Sequence, residues 1–153
     1  MIQIEKAKLE DMETILKLQY AAYQSEALLH NDFTIQPLTQ TLEESIEDYH
    51  KKIVLKAVQL GEIIGSIRAY AEGDTAYIGK LMVHPDHQNK GLGKFLLAAI
   101  EKEFPGKRFE LYTAAKSGRN LHLYETSGYI RLREETDNAG IRFVFLEKGS
   151  EKK

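Results

Sequence analysis

The stretch HPDHQNKGLGKFLLAAIEKEF, residues 84–104, is the most informative part of this chain. Its first half places a glutamine, two lysines and two glycines directly before a segment whose apolar residues recur at helical spacing. These apolar residues are Leu92, Phe95, Leu96, Ala99 and Ile100. Glycines before a helix let backbone N–H groups approach an anion closely, and the helix start adds a positive dipole end. The stretch therefore predicts a phosphate-binding loop that opens a helix packed on a sheet.

Two common phosphate-binding motifs do not fit this loop. The phosphate loop of nucleoside triphosphatases requires a glycine where Gln88 stands and a magnesium-binding hydroxyl where Phe95 stands. The dinucleotide fingerprint requires a third glycine where Leu96 stands, and a first strand–helix unit that opens a parallel sheet. The strand before this loop instead follows a meander, so both motifs are excluded.

Composition bounds the remaining function classes. The chain has 153 residues, a formal net charge of −2 and no cysteine. It is long enough for one domain, and it lacks the basic excess typical of nucleic-acid binders. A disulfide, a thiolate nucleophile and a cysteine-bound zinc are excluded, and the pair His84 and His87 has no nearby carboxylate cluster to complete a metal site. We expect a single cytoplasmic domain over residues 1–148 with a charged tail at 149–153, and no nucleic-acid or membrane partner.

The pattern along the chain predicts a mixed α/β (α+β) domain rather than a doubly wound one. Alternating or β-rich runs predict strands at 2–4, 53–60, 62–70, 75–83, 109–114, 129–134 and 141–146. Helical spacing, a capping box at Thr41–Glu44 and glycine stops predict helices at 10–24, from 41, from 91 and at 120–126. Pro37 and mixed polarity predict a loop at 30–39.

The loop becomes specific when it is joined to its neighbours. Its pattern is Gln88-x-x-Gly91-x-Gly93; it follows the strand end Leu81-Met82-Val83 and precedes Asn120-x-x-x-Tyr124-x-x-x-Gly128-Tyr129. From Ile2 to about Lys148 the chain resembles the GCN5-related N-acetyltransferase (GNAT) superfamily. The resemblance implies a mostly antiparallel sheet of six to seven strands, flanked by about four helices, with strands 4 and 5 splayed apart. A β-bulge near residues 78–80 would help open the strands, and Gly79 is a plausible place for it, although close packing explains a glycine there equally well.

The resemblance also implies the co-substrate, acetyl-CoA, and no metal. Its diphosphate would be held by Gln88, Asn89, Lys90, Gly91, Leu92, Gly93 and Lys94. The pantetheine arm would pair with the backbone of Leu81, Met82 and Val83 and with the side chain of Asn120, which could also cap its helix. The hydroxyl of Tyr124, which lies four residues after Asn120, would stand near the thioester sulfur as the catalytic group. The alternative reading makes Tyr124 a core aromatic residue.

The implied reaction is direct transfer of an acetyl group to an amine in a ternary complex. A base must take the proton of the amine, and Glu26, His30, Glu72 and Glu110 all remain candidates. The acceptor is open: Tyr20, Tyr23, Arg68 and Tyr70 could line its pocket, and the acidic run at 43–48 could attract a cation or form a solvated helix face. A non-catalytic acyl-CoA sensor on the same scaffold is the alternative function. Many relatives are dimers, and the sequence leaves a homodimer open.

Overall fold

A computed structural model describes residues 1–149, in which seven strands form one mixed sheet in the order β1-β2-β3-β4-β5-β7-β6. The strands are β1 (Gln3–Lys6), β2 (Ile53–Gln59), β3 (Glu62–Glu72), β4 (Thr75–Val83), β5 (Arg108–Ala114), β6 (Ile130–Thr136) and β7 (Arg142–Lys148). The α-helices are α1 (Met12–Ala22), α2 (Gln24–His30), α3 (Gln36–Thr39), α4 (Leu42–Lys51), α5 (Leu92–Glu101) and α6 (Gly118–Thr126). This architecture confirms the predicted fold class. The predicted tail at 149–153 lies outside the described residues, apart from Gly149.

The predicted meander forms as β2, β3 and β4, which pair antiparallel in sequence order. The first hairpin closes through the two-residue turn Leu60-Gly61, where Gln59 pairs with Glu62. Both turn residues are left-handed, with φ of 52° and 78°. Left-handed residues at both central positions match the twist of the flanking strands. The hairpin predicted from Gly61 is therefore confirmed.

Helices pack on both faces of the sheet and define two apolar clusters. Leu96 and Ile100 of α5 are fully buried in the larger cluster, together with Ile67 of β3. Met12 and Ile15 of α1 are fully buried in the smaller cluster. The predicted apolar face of the helix after the glycine loop packs on the sheet, except that Phe95, predicted on this face, is 52% exposed. The buried part of the face holds the loop against the sheet.

Strands β4 and β5 separate after a short parallel contact, as expected. Their pairing covers only Thr75–Arg108, Ala76–Phe109 and Tyr77–Glu110. Beyond Tyr77, β4 continues beside β3 to Val83. Strand β5 continues beside β7 to Ala114. The edge of β4 that faces β5 therefore offers backbone N–H and C=O groups to a ligand in the gap.

A β-bulge marks the point where the strands separate. Ser66 pairs with Met82 and Arg68 pairs with Gly79, so Lys80 and Leu81 together oppose the single residue between Ser66 and Arg68. Lys80 carries the left-handed conformation, with φ of 52°. A bulge in this region was predicted, but its strained residue is Lys80 rather than Gly79. A Cβ atom at Gly79 would meet nothing within 4 Å, so close packing does not explain that glycine either.

The segment between the first helix and the capping box differs from the prediction. The loop expected at 30–39 contains the short helix α3, and the helix expected at 10–24 breaks near Tyr23 into α1 and α2. Pro37 stands at the second position of α3, where a missing backbone N–H costs nothing because that group has no partner inside the helix. A proline read as a loop signal was thus the start of a helix.

The predicted capping box stabilises α4. The Thr41 hydroxyl accepts a hydrogen bond of 3.2 Å from the Glu44 amide, and the Glu44 carboxylate accepts one of 2.9 Å from the Thr41 amide. We expect Thr41→Ala to lower the free energy of unfolding by about 1 kcal/mol in a urea titration. Thr39→Ala is the matched control, because the exposed Thr39 hydroxyl only donates to the Gln36 carbonyl at 3.3 Å. Equal losses in both variants would show that the cap contributes nothing.

Candidate functional site

Two cavities lie along the gap between β4 and β5. The first has a volume of about 280 Å³ and extends from the glycine loop to the start of α6. The second has a volume of about 840 Å³ and lies between the sheet and the helical segment near Tyr23. Four residues line both cavities: Tyr23, Glu26, Leu81 and Asn120. These four residues define the junction of the cavities, where a group bound in one would meet a group bound in the other.

The glycine loop lines one part of the first cavity. Asn89 and Gly91 are left-handed, with φ of 64° and 86°, and α5 begins at Leu92. The first amides of a helix have no partner inside it, so the N–H groups of Leu92 and Gly93 are available to an anion. A Cβ atom at Gly93 would lie 3.2 Å from a methyl of Leu123, so this glycine also lets α5 and α6 approach closely.

Gln88 ties the loop to the sheet and to α6. Its side-chain nitrogen donates to the Val83 carbonyl at 3.1 Å, and its side-chain oxygen accepts from Arg119 at 2.7 Å. Arg119 lines the first cavity and adds a cation that the sequence interpretation missed. Its hydrogen bond with Gln88 could not be predicted from the sequence, but its position directly before Asn120 could have indicated that it lies near the co-substrate.

Most of the predicted co-substrate residues line the first cavity. They are Leu81, Met82, Val83, Gln88, Asn89, Gly91, Leu92, Gly93, Lys94 and Asn120. Lys90 is exposed and does not line this cavity. Asn120 lies in the first turn of α6, whose N-cap residue is Ser117, so the expectation that it caps the helix was wrong. Its amide instead donates to the Thr113 hydroxyl at 3.3 Å.

Tyr124 stands beside the junction. Its side chain is 6% exposed, and it lines the second cavity together with Tyr23 and Asn120. Burial, and after it the negative charge of Glu26, raises the pKa of the Tyr124 hydroxyl. The hydroxyl therefore keeps its proton at neutral pH and is a hydrogen-bond donor. The ring also belongs to the main apolar cluster, so core packing and a functional hydroxyl are compatible.

Glu26 and Tyr23 complete the junction from the helical side. The Glu26 carboxylate accepts a hydrogen bond of 2.8 Å from Ser117, and the Tyr23 hydroxyl donates to the Leu81 carbonyl at 3.3 Å. Burial, and next the interaction with Tyr124, raises the pKa of Tyr23. Tyr20, named with them in the sequence, instead donates to the Gln40 carbonyl.

The other carboxylates considered as bases differ in their surroundings. Glu110 lines the second cavity but is paired with Arg108 at 2.9 Å and with Arg133 at 3.3 Å. His30 lines the same cavity, whereas Glu72 lines neither. Arg68 and Tyr70 both line the second cavity, where alternation along their strand had placed them.

The comparisons with known proteins concern the whole chain. A family model described as an acetyltransferase (GNAT) domain matches residues 19–149. The chain belongs to the GNAT acetyltransferase family. No curated protein matches it in sequence.

Solved structures of other GNAT proteins share the fold. The PaiA N-acetyltransferase of Thermoplasma acidophilum, in complex with coenzyme A, is 18% identical over 97% of this chain and 99% of its own, with a TM-score of 0.78. The ribosomal-protein-S18-alanine N-acetyltransferase of Escherichia coli is 16% identical over 100% and 97% of the two chains, with a TM-score of 0.82. YncA from Salmonella typhimurium, with its cofactor acetyl-CoA, is 19% identical over 100% and 96%, with a TM-score of 0.79. At these identities the likeness establishes the fold of this GNAT domain.

Within residues 1–149, no helix is both long and apolar enough to cross a membrane. The same residues contain no group of three or more histidine, cysteine or acidic side chains placed to hold a metal ion.

Proposed function

We propose that this chain is an N-acetyltransferase that moves an acetyl group from acetyl-CoA to an amine in a ternary complex. The observation that carries the proposal is the junction, where the cavity beside the glycine loop meets a larger cavity next to Tyr124. Membership of the GNAT family and neighbours crystallised with coenzyme A or acetyl-CoA support the same co-substrate.

The residues of the first cavity fit coenzyme A. The N–H groups at the start of α5, together with Lys94 and Arg119, suit its diphosphate. The edge of β4 from Leu81 to Val83 lies beyond the pairing with β5 and suits the amides of the pantetheine arm, and Asn120 lines the same cavity. The thioester end would then reach the junction.

The reaction needs three tasks at the junction. The unprotonated amine attacks the thioester carbonyl carbon; an N–C bond forms, the C–S bond breaks, and the thiolate leaves with the bonding electron pair. The amine proton passes to a base, and backbone donors of β4 near Leu81 and Met82 polarise the carbonyl. The Tyr124 hydroxyl, whose raised pKa keeps it protonated, donates a hydrogen bond to the departing sulfur.

We assign the base to Glu26. It is the carboxylate that lines both cavities, and it carries no arginine partner of the kind that engages Glu110. Its hydrogen bond with Ser117 fixes the carboxylate at the junction.

Glu26→Gln should lower kcat at least tenfold at pH 7. Proton transfer by a positioned side chain typically contributes roughly 10²- to 10⁴-fold, so tenfold is the smallest loss that fits this role. The deficit should shrink as the pH rises toward the pKa of the amine, because the acceptor then arrives without its proton. A pH profile of acetylation checks this, with Glu72→Gln as the control outside both cavities. A pH-independent deficit would assign Glu26 a structural role instead.

The function itself is tested by calorimetry and turnover. We expect acetyl-CoA to bind without added metal, and thiol release to depend on an amine from a panel of amino acids, diamines, aminoglycosides and peptides. Tight binding with no turnover on any amine would favour the alternative, an acyl-CoA sensor. Absence of binding heat would refute both functions.

A further inference from the structure

The second cavity contains a cluster of charges that the acetyl transfer does not use. Arg68 donates to Asp48 at 3.0 Å, Lys52 lies 3.5 Å from the other oxygen of Asp48, and Gln40 donates to Asp48 at 3.1 Å. Although burial opposes it, these contacts with Gln40, Lys52 and Arg68 lower the pKa of Asp48. Lys80 lines the cavity beside them. Within this cluster one carboxylate therefore faces three cations. The cavity lining also contains the carboxylates of Glu26, Asp32, Glu110 and Asp137.

Two of the three side-chain nitrogens of Arg68 lack hydrogen-bond partners within residues 1–149. Its side chain is 1% exposed, and within residues 1–149 its Nε and Nη2 atoms have no partner. A buried guanidinium nitrogen without an acceptor loses its hydrogen bonds to water and gains none in return. Such a residue is unfavourable for stability unless something else completes its surroundings.

Lys80 has an unfavourable backbone conformation and a partly desolvated ammonium group. Its backbone is left-handed within the β-bulge, with φ of 52°, a conformation that is strained for a residue with a side chain. Burial, and then the charge of Arg68, lowers the pKa of Lys80 to about 8. Strained residues of this kind concentrate at functional sites. An anion between Arg68 and Lys80 would supply both the missing acceptor and the missing countercharge.

On the basis of the proposed acetyl transfer, we propose that the acceptor is a free amino acid, whose carboxylate binds at Arg68 and Lys80 while its α-amine faces the junction. The carboxylate and the α-amine of an amino acid are bonded to the same carbon atom, so the anion site must lie close to the junction. Lys80 directly precedes Leu81, which lies at the junction. Tyr23 lines the same cavity as Arg68 and Tyr124, and its hydroxyl donates to the Leu81 carbonyl at 3.3 Å. A diamine or a lysine side chain has no anion to place there.

An aromatic part of the second cavity fits an apolar side chain, although charged residues such as Glu110 and Arg133 also line the cavity. Tyr70 and Tyr77 stack with ring centroids 5.3 Å apart, and Tyr112 lies 5.1 Å from Phe145. Tyr70 and Tyr112 are partly open to solvent, at 39% and 57% exposure, so aromatic surface is accessible to a ligand. These aromatic residues line the same cavity as Arg68. The acceptor class is therefore an amino acid with an aliphatic or aromatic side chain.

The acidic run at 43–48 does not oppose this assignment. Glu43, Glu44 and Glu47 are exposed on α4, as expected for a solvated helix face. Asp48 is the member that faces the cavity, and its oxygens already accept from Arg68 and Gln40. The run thus offers no free carboxylate there for a polyamine.

The test compares matched acceptors by thiol release: L-leucine, L-methionine, L-phenylalanine and L-tyrosine, each against its carboxamide. We expect at least one acid to exceed its amide about tenfold or more in kcat/KM, the effect of one charge-assisted hydrogen bond. The amine of an amide loses its proton more readily, so the comparison is biased against this result. In Lys80→Met the preference should fall to within about threefold, while Lys102→Met, an exposed lysine outside both cavities, should keep it.

Each other outcome overturns the proposal. If the carboxamides react as well as the acids, the proposed anion site at Arg68 and Lys80 is wrong. Their turnover would still support the proposed acetyl transfer. A preference that persists in both Lys80→Met and Arg68→Gln would place the carboxylate elsewhere. No turnover on any of these pairs would exclude this acceptor class, and the wider amine panel would decide separately whether the transfer occurs. Retained binding of acetyl-CoA confirms that each variant is folded.

Discussion

Replacing Gly91 by valine should raise the dissociation constant for coenzyme A at least about 100-fold, a loss of roughly 2.7 kcal/mol. The residue has φ of 86°, a conformation that a β-branched side chain adopts only at high cost. A Cβ atom there would meet nothing within 4 Å, so the fold tolerates the substitution sterically and the strain falls on the loop backbone. The loop then turns its N–H groups away from the diphosphate. Isothermal titration calorimetry measures the effect.

Gly106→Val is the matched control for this result. Gly106 has φ of 79°, and a Cβ atom there would also meet nothing within 4 Å. It follows α5 rather than preceding it and lines neither cavity. Both variants should lose similar stability, but only Gly91→Val should lose binding. An unchanged dissociation constant in Gly91→Val would contradict the assignment of the loop to the diphosphate.

Tyr124→Phe should lower kcat by roughly 10²- to 10⁴-fold and leave the acetyl-CoA dissociation constant almost unchanged. The substitution removes only the hydroxyl beside the junction and keeps the buried ring in the main apolar cluster. Phenylalanine cannot donate to the leaving sulfur, so the loss appears in turnover rather than in binding. Single-turnover measurements of thiol release with saturating acceptor separate chemistry from product release.

Tyr129→Phe controls for the loss of a nearby tyrosine hydroxyl. The Tyr129 ring centroid is 6.1 Å from that of Tyr124, but its hydroxyl donates to Glu101 at 2.7 Å and it lines neither cavity. This variant should lose about 1 kcal/mol of stability and keep its kcat. A kcat for Tyr124→Phe within about twofold of the wild-type value would leave Tyr124 with a packing role only.

Local patterns predicted the parts of the site that depend on neighbouring residues. The glycine loop, the amphipathic α5 and the hairpin at Gly61 follow from residue order, because the backbone conformation and the apolar face of each are set within one or two turns of chain. The capping box at Thr41 is local in the same sense. The resemblance then joined these pieces into one fold, which the structure and the family match confirm.

The helices at 24–39 were missed because tertiary contacts stabilise them more than propensity does. Ala27 of α2 is fully buried, and Gln19 of α1 donates to Pro37 and Gln40 at the two ends of α3. Short helices of this kind are marginal without such packing. The sequence of the segment, with its proline and mixed polarity, carries no comparable signal.

The order of residues is enough to predict a glycine loop before a helix and a tyrosine four residues after an asparagine. Both are short-range arrangements fixed by backbone geometry. The position of Glu26 at the junction, and of Lys80 and Arg68 along one cavity, follows from the folded chain alone. These positions bring together residues that are distant in sequence. They depend on a β-bulge and on charges held close together in the fold, and the order of residues along the chain predicts neither feature.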